Sequence, residues 1–328
     1  MTNVISPSTH QSSDSGRSPQ PRDVLVVGVD GSSASRKALD FAIGEAQRRH
    51  ATLELDHAFD IPIYAADPTG AVFAAVDQTE LHDAAEAVVR REAQYVAGVA
   101  PDLGVQTVVR QGSAGALLVE ASKRADMVVV GAAHHSALAR LVMGSVSHNL
   151  LHHAACPVAI VPSPAPSNET VTMHKIVVGV DGSIPSRQAM DWAWDEAVLS
   201  KATLHLVHAW SAPFPVDQRV TVSEPVELVK LDAAVLLDGE AAALIDRKRP
   251  AVGAASRPPV HAVLREGPPA DELVREGEDA DLVVVGSRGR GGLLSLILGS
   301  VAHEVSGHAT CPVVVVPGRA GETDAGRS

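Results

Sequence analysis

Seven residues, VVGVDGS, occur twice in this chain, at 26–32 and again at 177–183. The match does not stop there. Arg36, Ala38, Asp40, Ala42, Glu45 and Ala46 return as Arg187, Ala189, Asp191, Ala193, Glu196 and Ala197. ATLELDHAF faces ATLHLVHAW, and RQGSAGALLVEASKRADMVVVG faces REGPPADELVREGEDADLVVVG. MGSVSHNLLHHAACPVAIVP then lines up with LGSVAHEVSGHATCPVVVVP. A chain written twice folds as two like units, and a period this long is a duplicated domain, not a solenoid repeat. At 328 residues there is room for two domains of ordinary size. The expected boundaries are a Ser/Pro/Gln-rich disordered tail (1–22), a first unit (23–162), a Pro/Ser-rich linker (163–173), a second unit (174–318) and a short tail (319–328).

Within each unit, aliphatic runs alternate with helical patterns. In the second, KIVVGV, TLHLVHAW, PVHAVLRE, DLVVVG and PVVVVP read as strands. Between them SRQAMDWAWDEAVLSK, a stretch around AAVLLDGEAAALIDRK, PPADELVREGEDA and SVAHEVSGHA read as helices. Strands alternating with helices imply right-handed βαβ crossovers, hence two tandem α/β units, each a doubly wound parallel sheet of five strands. Only 3% of residues are aromatic, so the core must be Val, Leu, Ile and Ala, which suits parallel strands covered on both faces. The final strands, PVAIVP and PVVVVP, would be apolar sheet edges, and such edges seek partners. The two units are therefore expected to pair through them about a pseudo-twofold axis.

GSRGRGGLLSLILGS, residues 286–300, follows the fourth strand of the second unit. Glycine is placed where the backbone needs positive φ or where something must come close. In open α/β sheets ligands sit beyond the carboxyl ends of the strands, where strand order reverses. With order 3-2-1-4-5, that crevice lies between strands one and four. Gly286 and Gly289 would let a loop offer backbone N–H groups as a nest, with Gly291 and Gly292 following. Gly299 would clear the approach to the last helix, with Ser300 its N-cap, and helix N-termini attract phosphate. Arg288 offers a cation or serves the surface. Asp181 could hold adenine, ribose or Mg²⁺, or simply make an Asx-turn.

A formal charge of −12 gives no basic surplus for a general nucleic-acid binder. No apolar stretch reaches the ~18 residues of a membrane span, and the N-terminus has no secretory h-region, so a cytoplasmic protein is expected. Gly-Lys never occurs, which removes the P-loop, and GRGGLL departs from G-x-G-x-x-G at Leu294.

G-x-x-G, nine residues, then Gly-Ser, after DLVVVG and before CPVVVVP, resembles the universal stress protein family in its tandem form, over nearly all of residues 23–318. The resemblance implies a Rossmann-like fold of the adenine-nucleotide alpha-hydrolase type and, in the ATP-binding branch, ATP with or without Mg²⁺ at this crevice. Matched to the family motif, Gly179, Val180 and Asp181 would face adenine or ribose, and Ala209 would offer backbone to the adenine. Val285, Gly286, Gly289, Gly299, Ser300 and Val301 would hold ribose and phosphates. The first unit's counterparts are Gly28, Val29, Asp30, Ala58, Gly131, Gly144, Ser145 and Val146. The implied role is nucleotide-regulated control of a stress or slow-growth response through a regulatory protein partner. A slow ATPase and a nucleotide-free scaffold are the alternatives, and a homodimer stays open.

The first unit departs at its loop, GAAHHSALARLVMGS, where His134 replaces Gly289 and Ala132-Ala133 replaces Ser287-Arg288. A left-handed backbone costs a side-chain-bearing residue ~1–2 kcal/mol, less for His, and an imidazole would occupy phosphate volume. Site one is then weakened, altered for fewer phosphates, or dead. A protonated His134 or His135 contacting phosphate is the sharper alternative. His152, His153 and Cys156, with His308 and Cys311, invite a zinc reading, but one Cys per unit before an aliphatic strand reads better as a buried thiol. His57 and His208 read as satisfied core histidines, and no G-x-S-x-G marks a nucleophile.

Overall fold

The computed structural model describes residues 24–60, 78–132, 144–162, 173–211, 223–249, 257–289 and 298–318. The first unit runs β1 (Val24–Gly28), α1 (Ser33–Arg49), β2 (Thr52–Phe59), α2 (Gln78–Val99), β3 (Val105–Gln111), α3 (Ala114–Ala121), β4 (Met127–Gly131), α4 (Ser145–His153) and β5 (Val158–Val161). The second repeats it: β6 (Lys175–Gly179), α5 (Ile184–Ser200), β7 (Thr203–Trp210), α6 (Ser223–Lys248), β8 (Val260–Glu266), α7 (Pro269–Glu276), β9 (Leu282–Gly286), α8 (Ser300–His308) and β10 (Val313–Val316). Each expected element is present. The extents differ most at α6, which begins ten residues before the stretch that the sequence marked as helical, and at α7, which ends four residues before the end of PPADELVREGEDA.

Local chemistry sets the helix ends. Ser32 accepts from the Ser35 N–H at 3.1 Å to open α1, and Ser183 accepts from the Ser186 N–H at 3.3 Å to open α5. Both helices stop where one residue turns left-handed, His50 at φ 53° and Lys201 at φ 58°. Along α1, Ala38, Leu39, Ala42, Ile43 and Ala46 are buried, the 3.6-residue stripe that seats it on the sheet.

The strands form one sheet in the order β3-β2-β1-β4-β5-β10-β9-β6-β7-β8. Inside each unit all neighbours are parallel, and the order reverses between β1 and β4 and between β6 and β9. The units join through an antiparallel pair, Val313 opposite Ile160, Val314 opposite Ala159 and Val315 opposite Val158. The two would-be edges thus cover each other, as the aliphatic runs led one to expect. Four helices, α1, α2, α5 and α6, cover one face, anchored by Leu39, Val89, Met190 and Leu244. The other face is covered by α3, α4, α7 and α8 through Leu118, Leu150, Leu273 and Val305.

One polar feature crosses the join. Glu45 on α1 and Glu196 on α5 are each 0% exposed. Arg49 binds both, its Nε lying 3.1 Å from Glu45, and Arg48 reaches Glu196 at 3.7 Å. The repeat matches Glu45 to Glu196, but Leu199 and Ser200 stand where the first unit has Arg48 and Arg49. One unit therefore supplies both cations.

Candidate functional site

The strand ends at each reversal point are built alike. After β1, Asp30 Oδ1 accepts from the Ser32 N–H at 2.8 Å, with Gly31 at φ 79°; after β6, Asp181 Oδ1 accepts from the Ser183 N–H at 2.9 Å, with Gly182 at φ 77°. Both aspartates are Asx-turn residues at a helix entry. Burial opposes the charge on Asp30, but hydrogen bonds from Ser32 and Ser35 prevail and hold its carboxyl below the usual range.

The loop glycines act by close approach and not by unusual φ. Among the described glycines, positive φ belongs to Gly31, Gly112, Gly182 and Gly267, not to Gly286, Gly289 or Gly299. A Cβ on Gly286 would stand 2.7 Å from the Pro185 carbonyl oxygen, and one on Gly131 would stand 2.5 Å from that of Ala34. These two glycines let α5 and α1 start against the ends of β9 and β4. A Cβ on Gly289 would meet Asp181 Oδ2 at 2.5 Å. The expected left-handed penalty for His134 therefore has no counterpart at Gly289; the crowding with Asp181 replaces it. His134, His135, Gly291, Gly292 and Leu294 lie outside the described residues.

A second correction concerns Ser300. Gly299 is the N-cap of α8, at φ −66° and ψ 146°, and Ser300 is the first helical residue. Gly144 caps α4 in the same way, and neither helix has a side-chain cap hydrogen bond. That contrasts with the serine caps of α1 and α5 and leaves two glycine-fronted helix starts at the crevices. The Gly299 N–H donates to the Ser287 carbonyl at 2.8 Å, closing the loop back on the end of β9. Arg288 runs towards the chain's return at Gly318, its Nη2 3.6 Å from where a Cβ there would stand. Val180 and Val285 are buried, and Ala209 and Val301 are half-buried.

In the first unit, Gly28, Val29, Asp30, Ala58, Gly131, Gly144, Ser145 and Val146 all line one cavity of about 400 Å³. Its walls also include Ser32, Ser35, His57, Leu117 and Ser147. His57 and His208 are held alike, Nδ1 lying 2.6 Å from the carbonyl oxygens of Val29 and Val180. Both are half-buried and hydrogen-bonded, in line with a structural role. Cys156 and Cys311 are buried thiols, pushed up to about 12 by burial. Among the described residues no three His, Cys, Asp or Glu side chains gather as a metal site, and no helix is long and apolar enough to cross a membrane.

Sequence reasoning missed the floor of this cavity. Asp56 on β2 and Arg110 on β3 both line it, with Asp56 6% exposed and Arg110 Nη2 2.6 Å from its Oδ2. Arg110 Nη2 also donates to the Leu117 carbonyl at 3.2 Å. Behind them Glu54, 3% exposed, takes Arg124 Nη1 at 2.7 Å. Burial, then the neighbouring Glu54, push the Asp56 carboxyl up to about 6, with Arg110 opposing. The signal was present in the repeat: where the first copy reads LELDHA, the second reads LHLVHA.

The model of the universal stress protein family matches residues 21–162 and again 172–317. A universal stress protein of Mycolicibacterium smegmatis is 34% identical over 296 residues, covering 89% of this chain and 96% of that one. One of Mycobacterium tuberculosis is 33% identical over 299 residues, covering 90% and 98%. The crystal structure of a universal stress protein from Archaeoglobus fulgidus shares the fold, with a TM-score of 0.62 at 18% identity over 90% of this chain and 98% of that one. The α/β architecture, the paired crevices and these matches agree: the chain belongs to the universal stress protein family, with the family's domain present twice.

Proposed function

We propose that this protein binds adenine nucleotides in its two crevices and acts as a nucleotide-regulated protein of a stress or slow-growth response. The single observation that carries the reading is the cavity of about 400 Å³ in the first unit, which gathers all eight expected residues beneath a helix fronted by glycine. Its size falls within the ~300–1,000 Å³ range of small-molecule sites. A helix start without a side-chain cap suits phosphate through its N–H groups and partial positive charge. The second unit repeats the strand ends, the Asx-turn and the glycine cap of α8, and it keeps Gly289. It takes ATP, with Mg²⁺ accompanying the triphosphate. The first unit, with His134 in its loop, takes a nucleotide with fewer phosphates.

The test is to extract the purified full chain with acid, identify any nucleotide by mass, and titrate the extracted protein with Mg-ATP. Ser145→Asp and Ser300→Asp would each place a carboxylate in the first turn of α4 or α8. There it favours the helix by ~0.3–1 kcal/mol yet repels phosphate. The expected result is bound nucleotide, with ATP lost in Ser300→Asp while the fold is kept. Absence of nucleotide on extraction and of any uptake on titration would overturn the reading. Steady release of ADP would favour the slow ATPase instead.

A further inference from the structure

The two crevices differ at the position of Asp56, which lines the first unit's cavity. In the second unit the residue matching Asp56 is Val207, 1% exposed and packed in the apolar core. The arginine matching Arg110 is Arg265, which pairs with Glu276 on α7 at 2.5 Å. In the first unit Arg110 stays on the floor, held between Asp56 and the Leu117 carbonyl. Asp56 Oδ2 has Arg110, but its buried Oδ1 has no hydrogen-bond donor. A buried acceptor without a donor is costly, roughly 1–3 kcal/mol and more for a charged group. Glu54 beside it is held by Arg124 and shares a hydrogen bond with Asp56 only while one of the two carboxyls keeps a proton, so once both are ionised it supplies no donor.

We propose that Asp56 is a specificity-determining residue of the first unit's cavity, accepting an N–H from the buried end of the ligand. The inference rests on the nucleotide reading above and deepens it. The first unit selects a base that carries an amino group. The second, with Val207 in that place, offers an apolar contact and makes no such demand. A site built to hydrogen-bond one group rejects the analogue lacking it, because its own polar atom is then left unpaired.

Burial opposes ionisation of Asp56, Glu54 on its own strand adds to that through a hydrogen bond and its charge, and Arg110 from β3 favours ionisation. An N–H donor prefers the carboxylate, so binding draws the Asp56 proton off. Affinity in the first unit is then full above pH 7 and falls as the pH drops through about 6.

The experiment uses the full chain carrying Ser300→Asp, which silences the second crevice, and titrates it by calorimetry with AMP and with purine riboside 5′-monophosphate, which lacks the amino group. AMP is expected to bind at least tenfold more tightly at pH 7.5, with the advantage shrinking at pH 5.5. Asp56→Val, which installs the second unit's own residue, is expected to remove both the discrimination and its pH dependence. Circular dichroism of Asp56→Val checks its fold; were it to unfold, the ratio and pH profile of the parent protein decide alone. Equal binding of the two nucleotides, or a ratio unchanged in Asp56→Val, overturns the role of Asp56 and leaves nucleotide binding intact. Failure of both nucleotides to bind this unit overturns the role of Asp56 and nucleotide binding in the first unit together.

Discussion

Replacing Arg49 with Met should destabilise the junction between the two units more than any single surface change. Arg49 joins Glu45 and Glu196, both wholly buried, and its guanidinium also lies 5.4 Å from the Trp192 ring centre. Methionine keeps much of the aliphatic length but removes the charge, leaving two buried carboxylates with Arg48 alone. Removing one partner of a buried ion pair costs ~3–5 kcal/mol, because the remaining charge stays desolvated. Burial, then Glu45, already push Glu196 up to about 7, with Arg49 and Arg48 opposing, so losing Arg49 pushes it higher. A carboxyl whose folded pKa exceeds its unfolded value of 4.5 is relieved by protonation. The penalty is therefore largest at pH 8 and shrinks as pH falls through 7 towards 5. Urea unfolding at pH 8 and pH 6 measures both numbers. Adding Glu196→Gln to Arg49→Met should restore most of the loss, since one buried charge disappears. A cost below 1 kcal/mol at pH 8, or an equal cost at both pH values, would refute this account of the network.

Gly286→Ala should destabilise the second unit by ~1–3 kcal/mol, because its Cβ would stand 2.7 Å from the Pro185 backbone, which cannot move without shifting α5. Denaturant midpoints measure it, and a neutral result would show that the start of α5 gives way freely. Cys156 and Cys311, each pushed up to about 12 by burial, should react with an aromatic disulfide at pH 8 only as fast as the chain opens. The reaction should become rapid in urea, whereas fast labelling of the native protein would contradict their burial.

Much of this architecture could be read directly because period and composition agreed. VVGVDGS returning intact marked the duplication, and all-aliphatic runs such as DLVVV and PVVVV could only be strands covered on both faces. The antiparallel pair of β5 and β10 followed from two apolar edges needing cover. Side-chain geometry was less legible. A glycine reports that room is needed but not who needs it, and Gly286 makes room for Pro185. Ser300 looked like a cap because serine favours that position, yet Gly299 takes it, with its N–H on the Ser287 carbonyl. Asp56 escaped notice because a repeat draws the eye to what is kept. The informative residues here, Glu54, Asp56, Arg48 and Arg49, are those that the second copy changed.

The antiparallel junction has a geometric consequence. All five strands of one unit run parallel, and β10 runs opposite to β5. The carboxyl ends of the two sets therefore point to opposite rims of the sheet, and the two crevices open in opposite directions. A small molecule cannot bridge them, and a protein seated over one mouth cannot read the other without wrapping around the sheet. Under the nucleotide-regulated reading proposed above, each mouth would serve its own partner, and among the described residues a short route between the units runs through the Val–Ile–Ala seam and the buried glutamates beside it. The protein is two back-to-back crevices sharing one spine.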